Sequence, residues 1–236
     1  MSGDLTDKAL APLLPGRPLR AFPALLSTEA EALAWARSGA PDGAVVVAGY
    51  QASPRGRAGR PWKISEGEGL GFSLILHPDL PPEREGWLYT VAACALAEVL
   101  GDDAAIRWPD EVRRDGAWSG GVGVQTHLGL LEVDWAVVNL MVEKAGIPRG
   151  SLLAHIVEGI EERSRLDPQE VLRSYLPRLE TLGRRVRARL IPLGPAGPQV
   201  EGTAVDARPD GALVLETESG SRVAVRPQHL GMLEDM

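Results

Sequence analysis

The chain has 236 residues, enough for one large domain with a buried core and a small appendage. Its 44% hydrophobic and 24% charged residues are the composition of an ordinary soluble protein. With 25 basic against 32 acidic residues the formal charge is −7, which argues against broad nucleic-acid binding, and the single cysteine excludes an internal disulfide or a cysteine metal cage.

In chain order, the first residues lack the basic start and continuous apolar stretch of a signal peptide. No window approaches the roughly 20 apolar residues that span a bilayer, so a cytoplasmic protein with no membrane partner is expected. Residues 1–26, rich in Pro and Leu, are expected to wrap the domain. Ser27-Thr28 followed by Glu31 resembles a capping box, predicting a helix to about Arg37 with Leu33 and Ala36 inward. Pro41-Asp42-Gly43 is a turn, and 44–48 a short buried strand. Residues 49–69, polar and rich in Gly and Arg, form a long loop of the kind that often carries function. A second strand is predicted over 71–76 and a turn over 78–82. The stretch 87–100 is apolar almost all round, which predicts a buried helix holding Cys94 as a small hydrophobe.

Short strands over 104–108 and 121–126 flank a turn at Asp115-Gly116, and the alternation in 131–140 predicts another strand. Two helices follow, 152–163 and 168–182, the second capped by Asp167 with Pro168 at its first position. Trp35, Trp87 and Trp135 fit inward positions. From Arg184 the texture changes to strands over 185–191, 199–205, 212–216 and 222–225, broken by Gly, Pro and Asp. That pattern predicts a small all-β barrel, with domains at 1–183 and 184–236. The four histidines are far apart with no paired carboxylate spacing, so no histidine metal site is expected.

The most informative stretch is Gln51-Ala52-Ser53-Pro54-Arg55-Gly56-Arg57-Ala58-Gly59-Arg60-Pro61-Trp62. Three guanidinium groups within six residues can surround a phosphate or carboxylate, and Gly56 and Gly59 permit positive φ and close backbone approach. A solvated basic loop and an RNA-binding arginine–glycine segment are the alternatives. A single non-repeating copy in an acidic chain speaks against the second.

This stretch resembles the loop of biotin–protein ligases, whose pattern is QTxGRGRxGRxW. Five further landmarks keep the family's order. Ser27-Thr28-Glu29 resembles its Ser-Thr-Asn. The glycine-rich lead at 65–74 and Arg107-Trp108-Pro109-Asp110-Glu111 are similar to its next strand and its Lys-Trp-Pro-Asn-Asp. Gly120-Gly121 and Val137-Val138-Asn139 complete the series. The resemblance implies an α+β fold: a mixed sheet packed with helices, followed by a small Src-homology-type barrel. It implies biotin and magnesium ATP as ligands, formation of the acyl-adenylate, and transfer to a lysine of a biotin carrier protein. Residues implied in adenylate binding are Arg55, Gly56, Arg57 and Arg60, with Trp62 walling the adenine. Ser27, Thr28 and Gln51 line the acyl pocket, and Trp118, Gly120, Gly121 and Asn139 lie nearby. Arg107, Asp110 and Glu111 occupy the catalytic motif, with Asp110 and Glu111 retaining carboxylate for magnesium. A homodimer through a sheet edge is compatible with the family. Only 26 residues precede Ser27, so a DNA-binding winged helix is not expected.

The departures fall on the chemistry. Where the family places a lysine that contacts carboxylate and α-phosphate, this chain has Trp118, or Ala117 with a one-residue slip, and neither carries charge. Loss of such a contact costs about 3–4 kcal/mol, a factor of hundreds in rate. Pro54 replaces a loop glycine, and Glu29 the asparagine of the acyl pocket. Two functions therefore stay open: a ligase with an altered site, and a pseudo-ligase that binds biotin, a related carboxylate or a nucleotide without activating it. A lipoate ligase is a relative in fold, but its Arg-Arg-Ser-Gly-Gly pattern is absent here.

Overall fold

Val45, Val46 and Val47 are all buried, yet the strand they form presents alternate residues to two different cores. Val45 and Val47 join the main core; Val46 joins a smaller one on the other face. A sheet covered by helices on both sides follows from this, and it explains why the strand is apolar throughout.

The computed structural model describes residues 3–62, 64–65, 67–144, 146–194 and 196–236. Lys63 and Glu66, inside the predicted 49–69 loop, lie outside the described residues. The elements are α1 (Asp7–Leu10), β1 (Leu19–Phe22), α2 (Thr28–Arg37), β2 (Val45–Ala48), β3 (Leu70–Leu76), α3 (Trp87–Leu100), β4 (Ala105–Arg107), β5 (Glu111–Arg114), β6 (Ala117–Leu128), β7 (Val133–Val142), α4 (Arg149–Arg165) and α5 (Pro168–Tyr175). β8 (Arg185–Leu190), β9 (Gln199–Ala207), β10 (Leu213–Glu216), β11 (Arg222–Val225) and β12 (Leu230–Asp235) follow. The first sheet runs β1-β2-β3-β7-β6-β5-β4, with β1 parallel to β2 and its other pairs antiparallel. The second is a five-stranded antiparallel sheet, β11-β10-β9-β8-β12. The fold is thus α+β, a mixed sheet with helices followed by an all-antiparallel sheet.

α3 and α4 pack on one face of the first sheet, where Phe72, Leu74, Val138 and Leu140 point. Cys94 is buried there, as expected. α2 lies on the other face, with Ala32 and Ala36 against Ile75 and Val137. Small residues let this helix approach closely, and that face carries the site described below.

Several expectations need correction. Residues 1–26 do more than wrap the domain: Leu5, Leu10 and Leu14 enter the core and β1 extends the sheet. The capping box does not form, because Ser27 makes no side-chain cap and Glu31 pairs with Arg20. Leu33 is only half-buried, whereas Ala36 is buried as expected. Helix α5 stops at Tyr175, since Pro177 cannot continue it and a 3-10 turn follows. β5 and β12 carry too many charges to show as strands by pattern, and their pairing comes from β6 and β8. Trp87 is buried, but Trp35 and Trp135 are half-buried, under Arg20 and against His127 respectively. No helix among the described residues is long and apolar enough to cross a membrane.

Candidate functional site

The α2 face of the sheet turns polar where β3 and β7 lie side by side. Ser73 pairs in register with Asn139, one step along each strand from apolar positions that face the opposite core. Thr28, in the first turn of α2, reaches down to them. Its backbone N–H and its Oγ1 lie 2.8 and 3.2 Å from Gln51 Oε1, and Ser73 Oγ is 3.0 Å from both Thr28 Oγ1 and Asn139 Oδ1. All four residues are buried. Two neighbouring atoms, Ser27 Oγ and Gln51 Nε2, are buried without a hydrogen-bond partner. An orphaned polar atom costs roughly 1–3 kcal/mol, so these mark where a ligand's polar groups would be satisfied. Gly71 makes room for Gln51, because a Cβ there would overlap its Nε2.

The arginine–glycine loop folds as a small hairpin over this face. Arg55 and Pro61 form an antiparallel bridge, Gly56 N–H donates to Arg60 O at 2.8 Å, and Trp62 N–H to Pro54 O at 3.0 Å. Asn139 Nδ2 donates to Arg55 O at 2.8 Å and so ties the loop to the sheet. Gly123 lies beneath the backbone of Gly56 and Arg57, and the Trp62 indole covers Gly56 and Gly121. The left-handed residues of the turn are Ala58 (φ 54°) and Gly59 (φ 72°); Gly56 sits at φ −101°. Gly56 is therefore needed for close approach to Trp62 and not, as expected, for positive φ.

The three loop arginines do not surround one point. Arg57 is buried; its Nε lies 3.2 Å from Asp110 Oδ1 and its Nη1 donates to Leu230 O. Arg60 Nη2 donates to Gly231 O at 2.9 Å. Arg55 is exposed and bonds Gly59 O at 2.9 Å. A cavity of about 360 Å³ is lined by Arg57, Arg60, Trp62, Asp110, Glu111 and Trp118, together with Pro61 and Glu143. A second cavity, also about 360 Å³, lies at the start of α2 against Ser27, Glu29, Leu33, Arg55 and Gln125. Arg107 lines neither; it pairs with Asp235 at 2.7 Å. Gly121 faces Trp62, while Gly120 faces Leu96 on the opposite side of the sheet.

The charges follow from burial. Burial pushes the Asp110 carboxyl above the ordinary carboxylate range, outweighing the opposing effect of Arg57 and Arg60. Burial also raises Glu29, against a hydrogen bond from Gln125 and the charge of Arg55. Glu111 is held by Arg113 at 2.8 Å. No group of three or more metal-ligating side chains occurs among the described residues. Among the described residues, no lysine lines either cavity.

No protein-family model matches the chain. It is 30% identical over 226 residues to the biotin–[acetyl-CoA-carboxylase] ligase of Mycobacterium tuberculosis, a match that covers 84% of this chain and 82% of that protein. The chain belongs to the biotin protein ligase family. It is also 37% identical over 108 residues to the bifunctional ligase/repressor BirA of Bacillus subtilis, where the match covers 44% of this chain and only 33% of the relative's length. Its structure resembles the biotin protein ligase of Aquifex aeolicus solved in complex with biotin and ATP, with a TM-score of 0.72, 21% identity, and coverage of 93% of this chain and 99% of that one. At that identity the likeness is one of fold.

Within the biotin protein ligase fold the sequence pattern missed four residues. Ser73 has a signal in retrospect, a lone hydroxyl in an otherwise apolar buried strand. Gln125 comes to its cavity through strand register, and Glu143 through a backbone bond to Ser119 just past the end of β7. Leu230 contributes a backbone carbonyl, which no side-chain pattern reveals.

Proposed function

We propose that the chain activates biotin, or a related carboxylic acid, with ATP to an acyl-adenylate and passes the acyl group to a lysine of a biotin carrier protein. The observation that carries this reading is the hairpin at Gly56–Arg57. It lies over Gly123 and Asn139 and separates a pocket with orphaned polar atoms from a cavity holding two guanidinium groups. An acid seated against Ser27, Thr28 and Gln51 would extend along β6 toward Arg57 and Arg60. There one carboxylate oxygen would attack the α-phosphorus while pyrophosphate leaves. Holding two anions together is chiefly a matter of position and positive charge. Trp62, packed on Gly56, would close the base side and exclude water from the mixed anhydride.

Magnesium would arrive on the phosphates, which suits a site offering one or two carboxylates rather than a full cage. Asp110 and Glu111 would supply those oxygens; each is already paired with an arginine, Asp110 with Arg57 and Glu111 with Arg113. Residues 184–236 would form a separate domain. A homodimer would use an outer strand of the first sheet, β1 or β4.

A second reading has its own support: Trp118, not a lysine, lines the anion cavity beside Glu143. A pocket with this wall would hold a nucleotide or acid by stacking without activating it. Pyrophosphate release on mixing the protein with ATP and biotin decides between the two. Lipoate and octanoate serve as competing acids. Release with any of them supports the ligase, and none with all three supports the binder. Trp118→Lys is expected to raise the rate by about a hundredfold.

A further inference from the structure

A third cavity lies where β6 loses its neighbour. β5 pairs with β6 only as far as Gly121, so beyond Val122 that edge has no strand beside it. Asp110 O takes the Val122 N–H at 2.8 Å, and the Tyr89 hydroxyl lies 3.3 Å from the Val124 N. The space left, about 250 Å³, is closed on its far side by residues of the second sheet and its connections, among them Ile191, Gln228 and Leu230. Its walls connect the two cavities already described. Arg57 lines both this space and the anion cavity, and Gln125 lines both this space and the pocket at the start of α2. A carbonyl that joins an acid in one to a nucleotide in the other would therefore lie beside this third space.

Apart from Arg57, whose charge is paired with Asp110, the chemistry of the third cavity suits a donor rather than another anion. Gln228 Oε1 is buried with no hydrogen-bond partner. The Glu85 carboxylate takes only the Thr126 hydroxyl among the described residues. Val124, Ile191 and Leu230 offer apolar wall for an alkyl stem, and Ile191 is half-exposed at the rim. An orphaned acceptor beside a carboxylate, at the end of an apolar channel, matches a primary ammonium on an aliphatic chain.

We propose that this cavity admits the acceptor amine, the lysine side chain of the carrier protein, and that Glu85 and Gln228 receive its ammonium. The proposal rests on the ligase reading. The ammonium gives one proton to the Glu85 carboxylate, and the freed lone pair attacks the acyl carbon. The bond from that carbon to the phosphate oxygen then breaks, AMP leaves with the electron pair, and the second proton passes from the new amide nitrogen to the departing phosphate. The second sheet then shapes acceptor entry, since Ile191, Gln228 and Leu230 all belong to it or its loops.

The test supplies synthetic biotinyl-AMP directly, so that the transfer step is measured whether or not the protein makes the adenylate itself. Acceptors are a biotin carrier domain and n-butylamine. Glu85→Gln is expected to raise the KM for both acceptors by about tenfold, while the KM for biotinyl-AMP stays as in the parent, and Glu85→Asp should recover part of the loss. Ile191→Trp, at the rim, narrows the channel without touching Glu85 and should slow the carrier domain more than butylamine. Unchanged acceptor KM values in both Glu85→Gln and Ile191→Trp would overturn the proposal, as would a parent protein that transfers nothing from the supplied adenylate. A separate pyrophosphate-release assay with biotin and ATP reports on the ligase reading, so the two failures are distinguishable.

Discussion

Arg57 and Asp110 form a charge pair with almost no solvent around it: their exposures are 6% and 7%, and Nε lies 3.2 Å from Oδ1. Arg57→Met keeps the length of the side chain and removes the charge. Breaking a buried pair from one side typically costs about 3–5 kcal/mol, because the remaining charge is stranded. Here the lower end, about 3 kcal/mol, is expected, since Asp110 can escape by taking a proton. That escape sets a pH signature. Burial already raises Asp110 and Arg57 opposes the shift, so removing Arg57 raises it further. A carboxyl whose folded pKa lies above its unfolded one stabilises the fold at low pH, and that contribution is lost as pH rises through the folded value. Arg57→Met should therefore lose stability more steeply than the parent from the ordinary carboxylate range upward. Urea unfolding at several pH values reads this as a falling midpoint with constant slope. Adding Asp110→Asn to Arg57→Met should return about 2 kcal/mol, measured as the coupling in a double-mutant cycle. A loss under about 1 kcal/mol with no pH dependence would mean that the pair is solvated and the buried-charge reasoning is wrong.

Gly71→Ala places a methyl group where Gln51 Nε2 sits, and Met141 leaves it no other room; a stability loss of about 1–3 kcal/mol and weaker binding of biotin in calorimetry are expected. Asp235→Asn removes the carboxylate that Arg107 holds below its ordinary range, through a hydrogen bond first and then its charge. The pair's contribution is present above the ordinary carboxylate pH and lost as pH falls, so parent and variant should converge in acid; Asp235 is half-exposed, and the difference at neutral pH should stay under about 1 kcal/mol. Glu29→Gln removes a carboxyl raised by burial, so the variant should gain stability relative to the parent as pH rises from the carboxylate range, as thermal melts across that range will read.

What could be read from the chain was what depends on neighbours in sequence. The valines of β2, the apolar circumference of α3 and the spacing of Arg55, Arg57 and Arg60 each carry their own signal, and each led to the right element or loop. What could not be read depends on partners far away. β12 became a strand because β8 pairs with it, and Arg57 found its acceptor 173 residues downstream. Ser73 and Asn139 were brought together by a register between strands that no local pattern specifies. The arginines were legible as a cluster, but their division between two cavities depends on how the hairpin lies over Gly123.

That division bears on how the site would work. A guanidinium has five N–H donors, and Arg57 donates from Nη1 to Leu230 O while its Nε faces Asp110 Oδ1 in an ion pair, which leaves further N–H groups for a ligand. Arg60 is likewise fixed by Gly231 O, one residue along the same strand. Two long side chains that would otherwise sample many rotamers are thus held by a strand of the second sheet before any anion arrives. Ordering such a side chain costs about 0.5–1.5 kcal/mol when binding must do it, so β12 removes that cost in advance. The second sheet would then be part of the anion site even though, among the described residues, none of its side chains lines that cavity. A loop anchored only to the first sheet would keep its charge but lose its aim.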